Sequence, residues 1–480
     1  MSLLVGFTRG GMTEQPLRIL QVNTADLGGG AERVAWNLHR TYRAQGHQTW
    51  LAVGQRYSTD KDVLPFAAQT RGVPRLRAFH RPVFGSVRAV DVVRWLSRPQ
   101  GFRAWWHGEE DFEFPASWRL LDLPPVTPQI VHAHNLHGGY FDVRMAPSLS
   151  RRVPLFLTLH DAWLLSGHCA HSFDCERWKT GCGHCPDLGI YPAIRKDATA
   201  FNWQRKHALY AQSRLYVATP SRWLMRKVEQ SILAPAIIEA QVIPNGVDLS
   251  VFHPANQQDA RREMGLPADG EILLCAAHTI RRNMWKDYRT LQRAVTVVGE
   301  RRAHRGRPLL LIGLGETASA TRLGAAHVQF VPYQHDPAIV ARYYQAADVY
   351  LHASRADTFP TTILEALACG TPGVATAVGG IPEQINSLQG VFEASTRPFE
   401  GGLVFPDDEA TGILAPPGDG EAMAIGIERL LADEALRRQL GQHAARDARQ
   451  RFGLERQAHA YLAWYARALA QHGSTVVVGR

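Results

Sequence analysis

The chain has 480 residues, 45% of them hydrophobic, which is material for about two to three domains with their own cores and excludes an intrinsically disordered protein. Lys plus Arg number 53 against 44 for Asp plus Glu; that basic balance suits an anionic small substrate, an acidic membrane surface or nucleic acid without selecting among them. No run reaches the roughly 18 uninterrupted apolar residues of a membrane span, and the first residues lack the apolar centre of a signal peptide, so a cytoplasmic location is expected.

Residues 17–23 read as a buried strand, 25–30 as a loop, 31–46 as a helix with Val34, Leu38 and Tyr42 on one face, and 50–53 as a second strand. This is a βαβ unit in which Gly28, Gly29 and Gly30 let the main chain approach an anion at the helix start. Between Arg71 and Arg103 eight arginines meet one acidic residue, Asp91, interleaved with Phe79, Phe84, Trp95 and Phe102 and followed by Trp105 and Trp106. Such a stretch fits an anionic membrane face or a solvated helical insertion; nucleic acid is not expected, because no recognition module accompanies the charge.

Residues 129–134 and 154–160 are strands that each end in histidine, His134 and His160, and two histidines at matching strand ends point to a shared crevice. Cys169, Cys175, Cys182 and Cys185 follow within seventeen residues, with His168, His171 and His184 among them. In a reducing compartment this spacing favours a structural zinc site or free thiols over disulfides. Residues 215–219 form a further strand, and 242–249 a strand that breaks into the Asn245-Gly246 turn, where the first domain ends.

From Glu271 the rhythm restarts, with strands over 272–277, 309–313, 328–331, 349–352 and 374–376 and helical segments between them, so the chain holds two successive doubly wound α/β halves. Arg281, Arg282 and Lys286 follow the end of the first of these strands, a position from which basic side chains neutralise a diphosphate in an interdomain cleft. After the strand at 349–352, Asp357 lies in a loop closed by Pro360. A helix begins at Thr361 and stops at Gly370, with Pro372 just beyond. Its free N-terminus lies between Asp357 and Glu365, an arrangement suited to a phosphate flanked by carboxylates that bind sugar hydroxyls. Residues 421–449 are helical, and a last helix over 454–470 carries Tyr461, Leu462, Trp464, Tyr465 and Leu469, enough apolar surface to demand an extensive partner.

Taken together, GGGAERV, VHAHNLHGGYFD, LTLHDAW, CERWKTGCGHCP, ATPSRW, VIPNGVDLSVFHP, EALACGTP and GGIPE occur in an order that resembles a family 4 retaining glycosyltransferase of GT-B architecture, from residue 17 to about 470. The similarity is greatest to the branch that builds bacterial exopolysaccharide, including colanic-acid-type enzymes. The resemblance implies a flexible tail over 1–16 and a Rossmann-like acceptor domain over 17–243, with a basic insertion at about 60–115 and the cysteine cluster at 169–185. It further implies a Rossmann-like nucleotide-sugar domain over 244–452 and a helix over 453–480 that crosses back to the first domain.

By the same resemblance Glu365 binds the donor's ribose, and the backbone of Thr358, Phe359, Pro360, Thr361 and Thr362 meets the diphosphate. Lys286 with Arg281 or Arg282 covers that diphosphate, Gly29 and Gly30 face its phosphates, and His134 touches the reacting sugar. Two departures stand out: Asp357 occupies a place where the family carries glutamate, and His278 one where it carries arginine. Charge on these basic groups at the leaving diphosphate replaces a catalytic metal, and the family retains anomeric configuration by front-face attack. The implied acceptor is a glycan or lipid-linked glycan at the inner face of the cytoplasmic membrane. A nucleotide-sugar epimerase of the same architecture and a non-catalytic assembly protein of a polysaccharide complex are the alternatives.

Overall fold

The computed structural model describes residues 15–66, 82–84, 87–88, 99–392 and 404–477. Most of the expected tail, 1–14, and most of the basic aromatic stretch, 71–98, lie outside the described residues.

The first half is built on a parallel sheet of β1 (Arg18–Ala25), β2 (Gln48–Gln55), β3 (Val63–Pro65), β6 (Ile130–Ala133), β7 (Leu155–Thr158), β8 (Leu215–Thr219) and β9 (Ile237–Val242), in the order β3-β2-β1-β6-β7-β8-β9. A separate antiparallel ribbon is made by β4 (Pro82–Phe84) and β5 (Val87–Arg88). Ile19, Leu20, Val131, Leu155 and Val217 are buried, as central parallel strands covered on both faces require. The chain leaves β1 for β2 on one side and returns to β6 on the other, so the ends of β1 and β6 flank a crevice.

The second half repeats the plan with β10 (Glu271–Ala276), β11 (Leu309–Leu314), β12 (Thr321–Leu323), β13 (Ala326–Val331), β14 (Val349–His352), β15 (Gly373–Thr376), β16 (Ser387–Leu388), β17 (Val404–Phe405) and β18 (Gly412–Ala415). Their order is β12-β13-β11-β10-β14-β15-β18-β16-β17, with only β12 antiparallel to its neighbour. The switch point lies between β10 and β14, which pair Leu273 with Val349. Apolar clusters cover both faces of this sheet.

Two expectations are corrected. The strand anticipated over 242–249 is β9, ending at Val242; its residues alternate between half-buried and exposed, the weak pattern of an edge strand. The segment after it is instead held by Pro244, which has no N–H to pair, and by the approach of Gly246, where a Cβ would stand 2.6 Å from Leu454 Cα. The strand β18 escaped the sequence reading because it opens on Gly412, whose missing side chain admits the Gly373 carbonyl at 2.4 Å from a Cβ position.

The last helix, Leu454–Val477, packs on the first sheet rather than the second. Tyr461, Trp464 and Tyr465 are fully buried, with Trp464 and Tyr465 edge-on to Phe156 at 4.9 and 4.7 Å between ring centroids. The Tyr465 hydroxyl lies 2.6 Å from Nδ1 of His132, and Tyr461 bonds Thr158 at 2.7 Å. The two tyrosine hydroxyls that the apolar contact buries are thereby paired.

Candidate active site in the cleft between the two sheets

On the second domain, the loops after β10 and β14 meet at the switch point. Lys286 pairs with Ser354 in an isolated antiparallel bridge, and Asp287 caps the helix Tyr288–Arg302 by accepting from the N–H of Thr290. Lys286 is thus held with its Nζ 2.7 Å from Asp357 Oδ2, 3.2 Å from Ser354 Oγ and 3.2 Å from His352 Nε2. Burial would raise the Asp357 pKa, but Lys286 overcomes it and holds the carboxyl well below the usual range. Burial, and then Lys286, lower His352 to about 4, so it is neutral. A lysine ammonium can only donate, so Nε2 of His352 accepts and its Nδ1–H faces the Tyr350 hydroxyl at 3.0 Å.

The loop that carries Asp357 is fixed from three sides. Gly379, at φ +58°, lies so close to the Asp357 carbonyl that a Cβ would come within 1.8 Å of its oxygen. Thr358 donates its hydroxyl to the His160 carbonyl of the first domain at 2.7 Å, and Asn245 donates to the Phe359 carbonyl at 3.2 Å. The helix Thr361–Ala368 then starts after Pro360 with no side-chain cap, and among the described residues no side chain accepts from the amides of Thr361 and Thr362. One turn in, Glu365 is 3% exposed; its Oε2 accepts from Tyr344 at 3.0 Å and its Oε1 from Arg33 of the first domain at 2.9 Å.

The facing wall comes from the first domain. Gly29 is the N-cap of the helix Gly30–Ala44, and its carbonyl accepts the N–H of Arg33 at 3.1 Å, so the glycine loop and Arg33 form one rigid corner. His134 is 1% exposed and both its ring nitrogens are engaged, Nε2 with Gln21 Oε1 at 3.0 Å and Nδ1 with His160 Nε2 at 3.0 Å. Burial, followed by His132 and His160, pushes its pKa far down. The Gln21 carbonyl fixes Nε2–H on His134, whose Nδ1 therefore accepts from His160. The structure places His134 one layer below the half-buried His160. Beside them His137 Nε2 stands 2.7 Å from Asp161 Oδ2.

Lys286, Asp357 and the backbone from Thr358 to Thr362 therefore come together, and Glu365 meets the corner that holds Gly29 and Gly30. Arg281 and Arg282 stay exposed and make no side-chain ion pair among the described residues; Arg281 leans over Phe330, its Cζ 5.8 Å from the ring centroid. Sequence reasoning missed Arg33, and it set His160 at a crevice shared with His134 without giving it a role. Arg33 sits in the same GGGAER stretch as the glycines, and that proximity was the available signal.

The four cysteines are free thiols. Cys182 Sγ accepts the N–H of Gly167 at 3.3 Å and Cys185 Sγ lies 3.3 Å from His168 Nε2. Burial pushes the Cys182 thiol up to about 12 and raises Cys169 and Cys185 as well. Among the described residues no group of three or more His, Cys, Asp or Glu is placed to hold a metal, so the zinc expected at Cys169, Cys175, Cys182 and Cys185 finds no support in this arrangement. The segment instead walls the cleft. Its Phe173 stacks on Trp285, next to Lys286, at 6.0 Å and 17°, and its His171 stacks on Trp223 at 5.5 Å and 12°.

Comparison with known proteins bears on this geometry. The Putative colanic acid biosynthesis glycosyl transferase WcaC of Escherichia coli (strain K12) is 25% identical over 389 residues, 75% of this chain and 83% of that protein. The D-inositol 3-phosphate glycosyltransferase of Kineococcus radiotolerans is 32% identical over 245 residues, 48% of this chain and 52% of that protein. Among solved structures, sucrose-phosphate synthase from Thermosynechococcus elongatus matches with a TM-score of 0.58 at 20% identity, over 95% of this chain and 100% of that one. HepE from Anabaena, solved in complex with UDP, matches with a TM-score of 0.58 at 16% identity, over 94% of this chain and 100% of that one. These likenesses give the fold, which is GT-B. Residues 28–251 match the model for Glycosyltransferase Family 4 and residues 256–447 the model for Glycosyl transferases group 1, and the chain belongs to these glycosyltransferases.

Proposed function

We propose that the protein is a retaining hexosyltransferase that moves a sugar from a nucleoside-diphosphate donor to a glycan or lipid-linked glycan in cell-surface polysaccharide synthesis. The observation that carries this reading is the Lys286–Asp357–His352 group at the switch point, next to the uncapped start of the helix Thr361–Ala368. Cation and helix amides there converge on the place where a leaving diphosphate accumulates charge. That WcaC carries a colanic acid name and that HepE was solved with UDP support the polysaccharide role and the donor class. A lipid-linked acceptor would bring the enzyme to the inner membrane face as a peripheral protein; among the described residues no helix is long and apolar enough to cross a membrane.

In this mechanism Lys286 is held by Asp357 until the diphosphate arrives, and then shares its protons with the departing phosphate. His160, supported from below by His134, lines the sugar side of the cleft. Asp357 and Glu365 hold the donor and are not an acid and nucleophile pair, and the departing phosphate itself takes the acceptor's proton. The test is a thermal-shift screen with UDP-, GDP-, ADP- and dTDP-sugars, followed by turnover with the donor that stabilises. Lys286→Ala should cut kcat by about a hundredfold or more, as loss of a transition-state charge contact does. Turnover should also survive chelation of divalent cations. Near-normal kcat in Lys286→Ala would remove the assignment, and interconversion of donor sugars without acceptor would favour an epimerase.

A further inference from the structure

Glu365 projects from the middle of a helix whose neighbours Leu364 and Leu367 are wholly buried, and it is itself 3% exposed. A carboxylate in such a place requires a cation and hydrogen-bond donors. Its donors are the Tyr344 hydroxyl on one oxygen, from its own domain, and Arg33 on the other, from the opposite domain. A carboxylate offers about four lone-pair sites, so one acceptor site remains on each oxygen. Two acceptor sites side by side match a vicinal diol.

We propose that Arg33 is a positioning residue of the donor pocket, supplied across the cleft: by pairing with Glu365 it orients that carboxylate for the vicinal diol of a ribonucleoside diphosphate and links donor binding to closure of the domains. This rests on the donor reading above. Arg33 suits the task because the helix start at Gly29 fixes its backbone and a third of its side chain faces solvent in the cleft.

The groups that face Glu365 are Arg33 from the first domain and Tyr344, Tyr350 and Cys369 from the second, with Tyr333 beside Arg33. Arg33 is the cation in that set. Burial raises the Glu365 pKa and Arg33, then Tyr344, oppose it, leaving it raised. Without Arg33, the first of the groups that oppose burial, it rises further and the charged form that accepts the diol is disfavoured as pH falls.

The experiment is calorimetric titration of UDP, ADP and GDP, with the 2′-deoxy counterpart of whichever binds, at about pH 6 and about pH 8.5, into wild type, Arg33→Ala, Arg33→Lys and Glu365→Gln. Wild type should bind one ribonucleotide nearly equally at both pH values and its deoxy counterpart more weakly. Arg33→Ala should bind roughly tenfold more weakly at the lower pH and recover part of that loss at the higher, Arg33→Lys should retain most of the affinity, and Glu365→Gln should be weak at both. If Arg33→Ala is too unstable to titrate, the Lys and Gln variants decide the matter alone. Wild-type affinity and a flat pH profile in Arg33→Ala would overturn the inference and leave the donor reading standing, and tighter binding would mean that Arg33 competes with the donor and would overturn it too. No nucleotide binding by wild type overturns both.

Discussion

His137 and Asp161 show how one residue pair sets a pH window. Burial lowers the His137 pKa, but Asp161 at 2.7 Å and then Glu32 outweigh it, so His137 is raised above 6.5. Burial raises Asp161, and His137 more than reverses that, so its carboxyl lies below 3.8. The histidine's share of stability is complete below 6.5 and lost as pH rises through its folded value, whereas the aspartate's is present above 3.8 and lost as pH falls. Asp161→Asn should therefore cost most stability near about pH 5 and much less near about pH 8. Melting temperatures of the two proteins across that range check it, and a gap that widens with pH would contradict it. The pair was partly legible, because HNLHGGYFD and LTLHDAW place both residues just after neighbouring strands. Lys206 was not: fully buried, it donates to the Trp163 and Ser166 carbonyls at 2.9 Å and pairs with Glu110 at 2.9 Å, partners drawn from two separate stretches that only the folded chain assembles.

At the scale of elements, hydrophobic pattern located the central strands and the long helices, because each buries a continuous run or one regular face. It failed at β9 and β18, where an edge position and an opening glycine remove that signal. The last helix was legible as a surface in need of a partner, and its partner is the sheet face carrying Phe156 and Tyr216. Trp464→Ala should lower stability by about 3–5 kcal/mol, the usual cost of emptying a large aromatic site. Denaturant unfolding measures it; a loss below about 1 kcal/mol would show that the helix is not part of the first domain's cooperative unit.

For the whole molecule, the motifs were visible in the sequence but their pairing across the cleft was not, since each pair joins residues of different domains. GGIPE meets the ATPSRW turn: Glu383 accepts the N–H groups of Arg222 and Trp223, both at 2.8 Å. At Gly380 a Cβ would lie 2.0 Å from the Thr358 carbonyl oxygen and 2.8 Å from Ser221 Cβ. Gly380→Ala therefore clashes with the Thr358 carbonyl of its own domain and crowds Ser221 of the other, a strain that moving the two domains apart relieves in part. A larger radius of gyration by small-angle scattering, with reduced turnover, is expected, and an unchanged radius would show that the contact yields locally. The return of Leu454–Val477 also has a consequence for biosynthesis. The face of the first sheet around Phe156 and Tyr216 is covered by Trp464, Tyr465 and Ala468, so during translation that face stays open until the second domain, which lies between them in the sequence, has been made. The first domain therefore completes its core only after the second has been synthesised, and its aromatic sheet face is exposed in the interval.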